Sequence, residues 1–124
     1  MKKNTSSGHI YWFQIQEFFG QKVEDGPIKF GLTTREVEER LREWQTTLAF
    51  CGLRFIGKEF AENPEERERF LKTVFKEYMI TRLTDNIDKS EWFRPGERII
   101  AYVKQLKPDY KSGFRNAIGE TQLN

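Results

Sequence analysis

The chain has 124 residues, of which 37% are hydrophobic, 15% aromatic and 32% charged, and its formal net charge is +2. This length fits one domain, because single cores commonly run to about 100 to 150 residues. Its single cysteine excludes an intrachain disulfide framework and a cysteine-rich zinc site, and no apolar run approaches the roughly 18 residues that span a bilayer. The first residues include lysines but no apolar stretch of the signal-peptide kind, so we expect a cytoplasmic protein without a membrane partner.

The first part of the chain predicts a β-hairpin followed by a helix. Gly8 to Phe19 is rich in aromatic and β-branched residues and predicts a strand, and Ile28 to Thr33 predicts a second one. The segment from Gly20 to Pro27 between them has the glycine, aspartate and proline residues of a turn. Thr33 or Thr34 is the expected N-cap of the helix that follows, because a threonine hydroxyl can accept a hydrogen bond from the first turn.

The second part predicts one strand and two helices. Leu48 to Phe60 alternates loosely and predicts a third strand. Asn63 and Pro64 have the cap and first-position order of a helix start. The predicted apolar stripe of that helix consists of Phe70, Leu71, Val74, Phe75 and Tyr78. After a polar loop, Trp92 and Phe93 are predicted to be core residues, and Pro95 is predicted to begin the last helix.

The resulting order is β-β-α-β-α-α, which predicts an α/β domain of the α+β kind. A small three-stranded antiparallel sheet flanked by helices would bury the apolar faces of these elements. We expect this domain to cover residues 8–105 and to be followed by a basic C-terminal tail over residues 106–124.

The residue types that are present limit the chemistry. The sequence contains no nucleotide-binding glycine loop, no Cys or His cluster with metal spacing, and only one histidine, His9. Tyrosine, lysine, arginine and carboxylates remain, and these four types suit phosphoryl transfer. They can supply a base for an attacking water, a cation for the charged phosphate and a ligand for Mg²⁺ or Mn²⁺.

Five short motifs follow one another on these elements. They are Gly8-His9-Ile10-Tyr11, Ile28-Lys29-Phe30-Gly31-Leu32-Thr33, Arg40-Leu41, Glu68 with Leu71 and Phe75, and Ser90-Glu91-Trp92-Phe93. In this order the chain resembles the GIY-YIG endonuclease superfamily, and especially its small branch in phages and bacteria, from about Gly8 to Gln105. The resemblance implies a metal-dependent endonuclease that hydrolyses DNA phosphodiester bonds, with RNA as the other substrate to consider.

The resemblance assigns roles to four residues in particular. Tyr11 is the expected base, with Lys29 as a cationic neighbour, since a phenol with a pKa of about 10 needs one to ionise. Arg40 is expected to neutralise phosphate charge through its two parallel donors. Glu68 is the expected ligand of Mg²⁺ or Mn²⁺, and Glu65 is the second choice.

Two positions depart from the pattern of the superfamily. Lys29 stands where many relatives have a tyrosine, and Lys72 stands where the branch often has a histidine. Thr33, Thr34 and Arg35 at the start of the first helix are expected to bind nucleic acid together with Lys72.

The two departures motivate a second hypothesis, a catalytically degenerate nucleic-acid-binding module with the same fold. A partner-recognition domain is a third hypothesis, and a homodimer would be one way to raise a low affinity for DNA.

The candidates also have purely structural explanations. Tyr11 could be a strand aromatic in the core with its hydroxyl at the edge. Lys29 could be an exposed strand lysine, and Arg40 could be an exposed helix arginine paired with Glu36 or Glu43. Glu68 could belong to a solvated helix face. Each structural explanation predicts a different burial and different contacts for the side chain than the functional role does.

Overall fold

The structure is a computed structural model that describes residues 6–80 and 92–106. Its elements are β1 (Gly8–Phe18), β2 (Gln21–Lys22), β3 (Ile28–Thr33), α1 (Val37–Thr47), β4 (Cys51–Ala61), α2 (Pro64–Val74), a 3-10 turn (Lys76–Tyr78), β5 (Trp92–Phe93) and α3 (Glu97–Val103). The predicted fold class is confirmed, since three helices flank an antiparallel sheet in the described ranges. The sheet has five strands instead of the predicted three. Strands β2 and β5 were not predicted because each spans only two residues, which is too short to show a periodicity. The predicted tail lies outside the described residues, apart from Leu106.

Strand β1 is the centre of the sheet. It pairs antiparallel with β2, β3 and β4, and β3 pairs in turn with β5. Because neighbours cover both edges and helices cover both faces, β1 is buried along almost its whole length. This explains why its sequence is apolar and aromatic on both faces instead of alternating with polar residues.

The two faces of β1 contribute to two separate cores, since successive side chains of a strand point to opposite sides. Ile10 and Trp12 pack with residues of α2 and α3. Tyr11 and Phe13 pack with residues of α1. Helix α1 therefore lies on one face of the sheet, and α2 and α3 lie on the other. No helix in the described ranges is long and apolar enough to cross a lipid bilayer.

The start of α1 differs from the prediction. The N-cap is Glu36, which makes no side-chain capping hydrogen bond, so neither Thr33 nor Thr34 caps the helix. Thr33 ends β3, is 4% exposed, and accepts a hydrogen bond from the backbone N–H of Arg35 at 3.0 Å. Its hydroxyl stabilises the turn between the strand and the helix, and the helix begins at Val37, four residues after the end of the strand.

Helix α2 begins as predicted, because the Asn63 side chain accepts a hydrogen bond from the N–H of Glu66 at 3.2 Å. Its apolar stripe is narrower than predicted. Leu71 and Phe75 are buried, whereas Phe70 is 53% exposed. The helix packs on the sheet along one side only, and Phe70 is rotated by about 100° from Leu71, which directs its ring towards solvent.

A polar network connects the elements on the face of the sheet that α2 and α3 cover. The Tyr102 hydroxyl of α3 donates to the Glu59 carboxylate of β4 at 2.8 Å, and Arg67 of α2 donates to the Tyr102 oxygen at 2.9 Å. Arg67 also donates to Glu59 at 3.2 Å. Burial, followed by the Glu59 carboxylate, raises the pKa of Tyr102 to about 12. This tyrosine therefore stays protonated and serves to connect β4, α2 and α3.

Candidate active site

Tyr11 lies on the face of the sheet that α1 covers. Its side chain is 1% exposed, and the residue is opposite Gly31 in the β1–β3 register. A Cβ atom at Gly31 would lie 2.8 Å from the Tyr11 hydroxyl oxygen and 3.0 Å from Cζ. Glycine is required at position 31 because the phenol ring occupies the space where a side chain would stand.

The Tyr11 phenol is held in place by aromatic neighbours. The Trp44 indole Nε1 of α1 donates a hydrogen bond to the Tyr11 hydroxyl oxygen at 2.9 Å. The ring of Tyr11 stacks with that of Phe13, with centroids 6.3 Å apart. A donor that points at a phenol oxygen stabilises negative charge on it. The Tyr11 oxygen is therefore held at a fixed position by the indole of Trp44.

Lys29 is buried on the same face of the sheet as Tyr11, so it is not the exposed strand lysine of the structural explanation. Its side chain is 1% exposed, and its Nζ atom lies 4.7 Å from the ring centroid of Trp44 and 5.8 Å from that of Trp92. Aromatic faces attract an ammonium group, and a desolvated contact of this kind is worth about 2 kcal/mol. Lys29 and Gly31 are two residues apart on β3, so both face α1.

Arg40 of α1 also lies next to Tyr11. The centre of its guanidinium group is 6.0 Å from the Tyr11 ring centroid, and 30% of its side chain is exposed. Partial burial by itself lowers the pKa of Arg40, but the hydrogen bond to Glu43 and the interactions with Tyr11 outweigh it and leave this pKa raised. Arg40 is thus a permanent positive charge at the solvent side of the site.

Glu43 joins two arginines. Its carboxylate accepts hydrogen bonds from Nη1 and Nη2 of Arg35, both at 3.0 Å, and one from Nη1 of Arg40 at 2.6 Å. The hydrogen bonds from Arg35 and then from Arg40 lower the pKa of Glu43 to about 2. Since this pKa lies below the usual value of 4.5, the ion pairs stabilise the fold fully above that value and are lost as the pH falls through about 2.

The predicted nucleic-acid-binding residues at the start of α1 have different environments. Thr34 and Arg35 line an open cavity of about 490 Å³, whereas the hydroxyl of Thr33 is used by the turn. Lys58 of β4 also lines this cavity and is opposite Tyr11 in the β1–β4 register. The cavity therefore opens beside Tyr11 on the same face of the sheet.

Glu68 and Lys72 lie on α2, on the other side of the sheet. They line a surface cavity of about 520 Å³. Its lining residues are Glu65, Glu68, Arg69, Lys72, Thr73, Lys76 and Met79. The structure thus groups Tyr11, Lys29 and Arg40 on the α1 face and places the fourth predicted catalytic residue on α2.

Comparison with models of protein families assigns the chain to one family. Residues 8–107 match the family described as the T5orf172 domain. The chain belongs to the T5orf172 domain family. Domains of this family occur in nuclease-like proteins of phages and bacteria, which indicates a nuclease-like or DNA-binding module. Neither the curated proteins nor the solved structures include a match.

The described part of this T5orf172 domain contains no cluster of three or more His, Cys, Asp or Glu residues that could hold a metal ion. Glu65 and Glu68 are one helical turn apart and line one cavity, which they share with the cations Arg69, Lys72 and Lys76. Mg²⁺ keeps most of its water and is commonly bound by one or two carboxylates together with phosphate oxygens. The two carboxylates could therefore ligate a metal ion only if other ligands, such as phosphate oxygens, completed its coordination.

The sequence interpretation missed Trp44 and Trp92 as contributors to the site of this T5orf172 domain. It named Glu43 only as a structural ion-pair partner of Arg40, and the structure confirms that ion pair. Trp44 follows Arg40 by four residues, a spacing that brings helical side chains together and could have identified it. Trp92 is the direct partner of Lys29 in the β3–β5 register. No spacing predicts that contact, because it depends on a two-residue strand far along the chain.

Proposed function

We propose that this T5orf172 domain is a GIY-YIG-type endonuclease that hydrolyses DNA phosphodiester bonds with the help of Mg²⁺ or Mn²⁺. One observation carries the proposal, the juxtaposition of the Tyr11 hydroxyl, the Arg40 guanidinium and the Lys29 ammonium on one face of the sheet. A base and two cations are the groups that attack of water on a phosphodiester requires. The motif resemblance and the family assignment support the same reaction class.

Tyr11 is the proposed base. Its oxygen accepts the indole hydrogen bond of Trp44, and its ring lies 6.0 Å from the Arg40 guanidinium; a donor and a nearby cation both favour an ionised phenol. The phenolate takes the proton of the attacking water, and the new oxygen–phosphorus bond forms as the bond to the leaving oxygen breaks. Lys29 remains in contact with the rings of Trp44 and Trp92 and acts by its charge alone, because its side chain is buried.

Arg40 is the proposed ligand of the scissile phosphate. Its guanidinium can donate two parallel hydrogen bonds to the non-bridging oxygens, where negative charge increases in the transition state. Its side chain is partly exposed while Tyr11 is 1% exposed. We therefore expect Arg40 to turn away from its packed position when the phosphate approaches the Tyr11 oxygen.

Glu68, with Glu65 beside it, is the proposed metal ligand. Because α2 and Tyr11 lie on opposite faces of the sheet, a Mg²⁺ or Mn²⁺ ion held there would neutralise DNA phosphates that lie against α2, next to the scissile one. Lys72 lines the same cavity and would bind a phosphate of the DNA strand.

The first test compares Arg40→Ala with Arg42→Ala. Arg42 is an exposed arginine of the same helix, so its replacement removes the same charge outside the site. We expect Arg40→Ala to lower cleavage of supercoiled plasmid by about 100-fold, the usual cost of removing one donor to transition-state charge. Arg42→Ala should cleave nearly as fast as the wild type. Equal rates for all three proteins would contradict the assignment of Arg40.

A second test addresses the metal ion. We expect cleavage to require Mg²⁺ or Mn²⁺ and to stop in EDTA, and Glu68→Gln to lower the rate because the metal ion binds more weakly without that carboxylate. Glu66→Gln is the matched control, because Glu66 lies on the same helix but does not line the cavity. Cleavage that persists in EDTA and in Glu68→Gln would disprove the metal assignment.

A nucleic-acid-binding module without turnover is the second candidate. The observation that favours it is the group of cations in the α2 cavity, Arg69, Lys72 and Lys76, which suits phosphate binding with or without chemistry. This function predicts binding that weakens steeply with salt, because each phosphate contact releases counterions. Salt-dependent binding without metal-stimulated cleavage by the purified wild type would select it.

A further inference from the structure

Arg35, Arg40 and Glu43 form a small cluster on the surface of α1. The Glu43 carboxylate accepts two parallel hydrogen bonds from Arg35 and a third from Arg40. Paired donors of this kind are the way in which arginine binds both carboxylates and phosphates. The two guanidinium groups therefore form a ready binding site for an oxyanion, and a carboxylate of the chain itself fills it.

The cluster is open to solvent. The exposed fractions of the side chains are 52% for Arg35, 45% for Glu43 and 30% for Arg40. Ion pairs as exposed as these contribute little to stability, because water and salt screen them. An incoming phosphate can thus replace the carboxylate at little cost and make the same bidentate hydrogen bonds.

The position of the cluster relates it to the candidate active site. Arg40 lies next to the ring of Tyr11, and Arg35 lines the open cavity on the same face of the sheet. A phosphate held by both arginines would therefore lie beside Tyr11. The same face offers Arg35 one more acid, Glu39, but through a single contact of 3.4 Å.

We propose that Glu43 is an internal competitor for substrate phosphate. It occupies the oxyanion position between Arg35 and Arg40 when no DNA is bound, and a phosphodiester group of the DNA displaces it. The identity of the ligand as DNA rests on the proposed function, whereas the competition between carboxylate and phosphate follows from the cluster itself. Arg35 becomes a second phosphate ligand of the site in addition to Arg40.

The test compares Glu43→Gln with Glu39→Gln. The two glutamates lie one turn apart on α1, both contact Arg35, and either change removes one negative charge. Binding of a labelled DNA duplex is measured by fluorescence anisotropy in EDTA over a range of salt concentrations. We expect Glu43→Gln to tighten binding by about fivefold, in line with the ordinary strength of an exposed ion pair. Glu39→Gln should change the dissociation constant by less than about twofold.

A double variant separates competition from general charge. The gain from Glu43→Gln should become much smaller when it is combined with Arg35→Ala, because the released guanidinium is then missing. Thermal unfolding of each variant shows that the comparison is made between folded proteins. Equal gains in Glu43→Gln and Glu39→Gln, or weaker binding in Glu43→Gln, would overturn the inference.

The outcome is separable from that of the proposed function, because binding is measured without metal and without cleavage. Tighter binding by Glu43→Gln, together with a wild type that never cleaves DNA, would support the internal competitor and refute the endonuclease. Cleavage by the wild type with unchanged binding by Glu43→Gln would support the endonuclease and refute the internal competitor.

Discussion

We expect Tyr11→Phe to lower DNA cleavage by about 1,000-fold while the protein remains folded. The phenylalanine ring keeps the packing of the buried side chain against Phe13 but removes the oxygen that would accept a proton, and general bases contribute about 100-fold to 10,000-fold to rates. The Trp44 indole loses its acceptor, which should cost about 1 kcal/mol of stability. Plasmid cleavage and thermal unfolding measure the two effects.

Tyr102→Phe is the matched control. This change also removes a tyrosine hydroxyl with described hydrogen bonds, but on the opposite face of the sheet. We expect a similar loss of stability, about 1 kcal/mol, with cleavage close to that of the wild type. If both variants lost cleavage in proportion to their stability, Tyr11 would have a structural role only.

Gly31→Ala should abolish cleavage at least as strongly as Tyr11→Phe, because the added methyl group would lie 2.8 Å from the Tyr11 hydroxyl oxygen. The buried ring cannot move aside without disturbing Phe13 and Trp44, so the phenol would lose its position relative to Arg40. Overpacking of this kind typically costs about 1 to 3 kcal/mol of stability. The measurements are single-turnover cleavage and the midpoint of thermal unfolding.

Gly57→Ala tests whether overpacking alone would explain the loss of cleavage in Gly31→Ala. Gly57 is opposite Trp12 on β1, and a Cβ atom there would lie 2.7 Å from Cβ of Leu106. The steric cost is comparable, but the affected contact lies on the face of the sheet opposite to Tyr11. We expect Gly57→Ala to lower stability and to keep cleavage. Retained cleavage in Gly31→Ala would show that the position of the phenol is not critical.

The long elements of the fold could be predicted because each has a local cause. The aromatic and β-branched run of β1, the turn residues after it and the Asn63 cap of α2 act over a few neighbouring positions. The errors occurred where tertiary contacts dominate. Neither Thr33 nor Thr34 caps α1, because Thr33 still pairs with His9 of β1 and the helix begins only at Val37. Phe70 is exposed because α2 contacts the sheet along one side.

The candidate site was predictable only in part. Tyr11 and Arg40 were identified through their motifs, and the structure brings them together. The burial of Lys29 could not be predicted, because a strand lysine is usually solvated. Its environment is built by Trp44 from α1 and Trp92 from β5, which lie well apart in the chain.

The amino-acid sequence by itself determined the identity and order of the main elements and the residue types available for chemistry. Local propensity, turn residues and helix caps suffice for these features, since they depend on neighbours along the chain. Only the tertiary structure decided which charges meet. It placed Glu43 between Arg35 and Arg40 and enclosed Lys29 in indole rings, because sheet register and helix packing bring distant segments within contact distance.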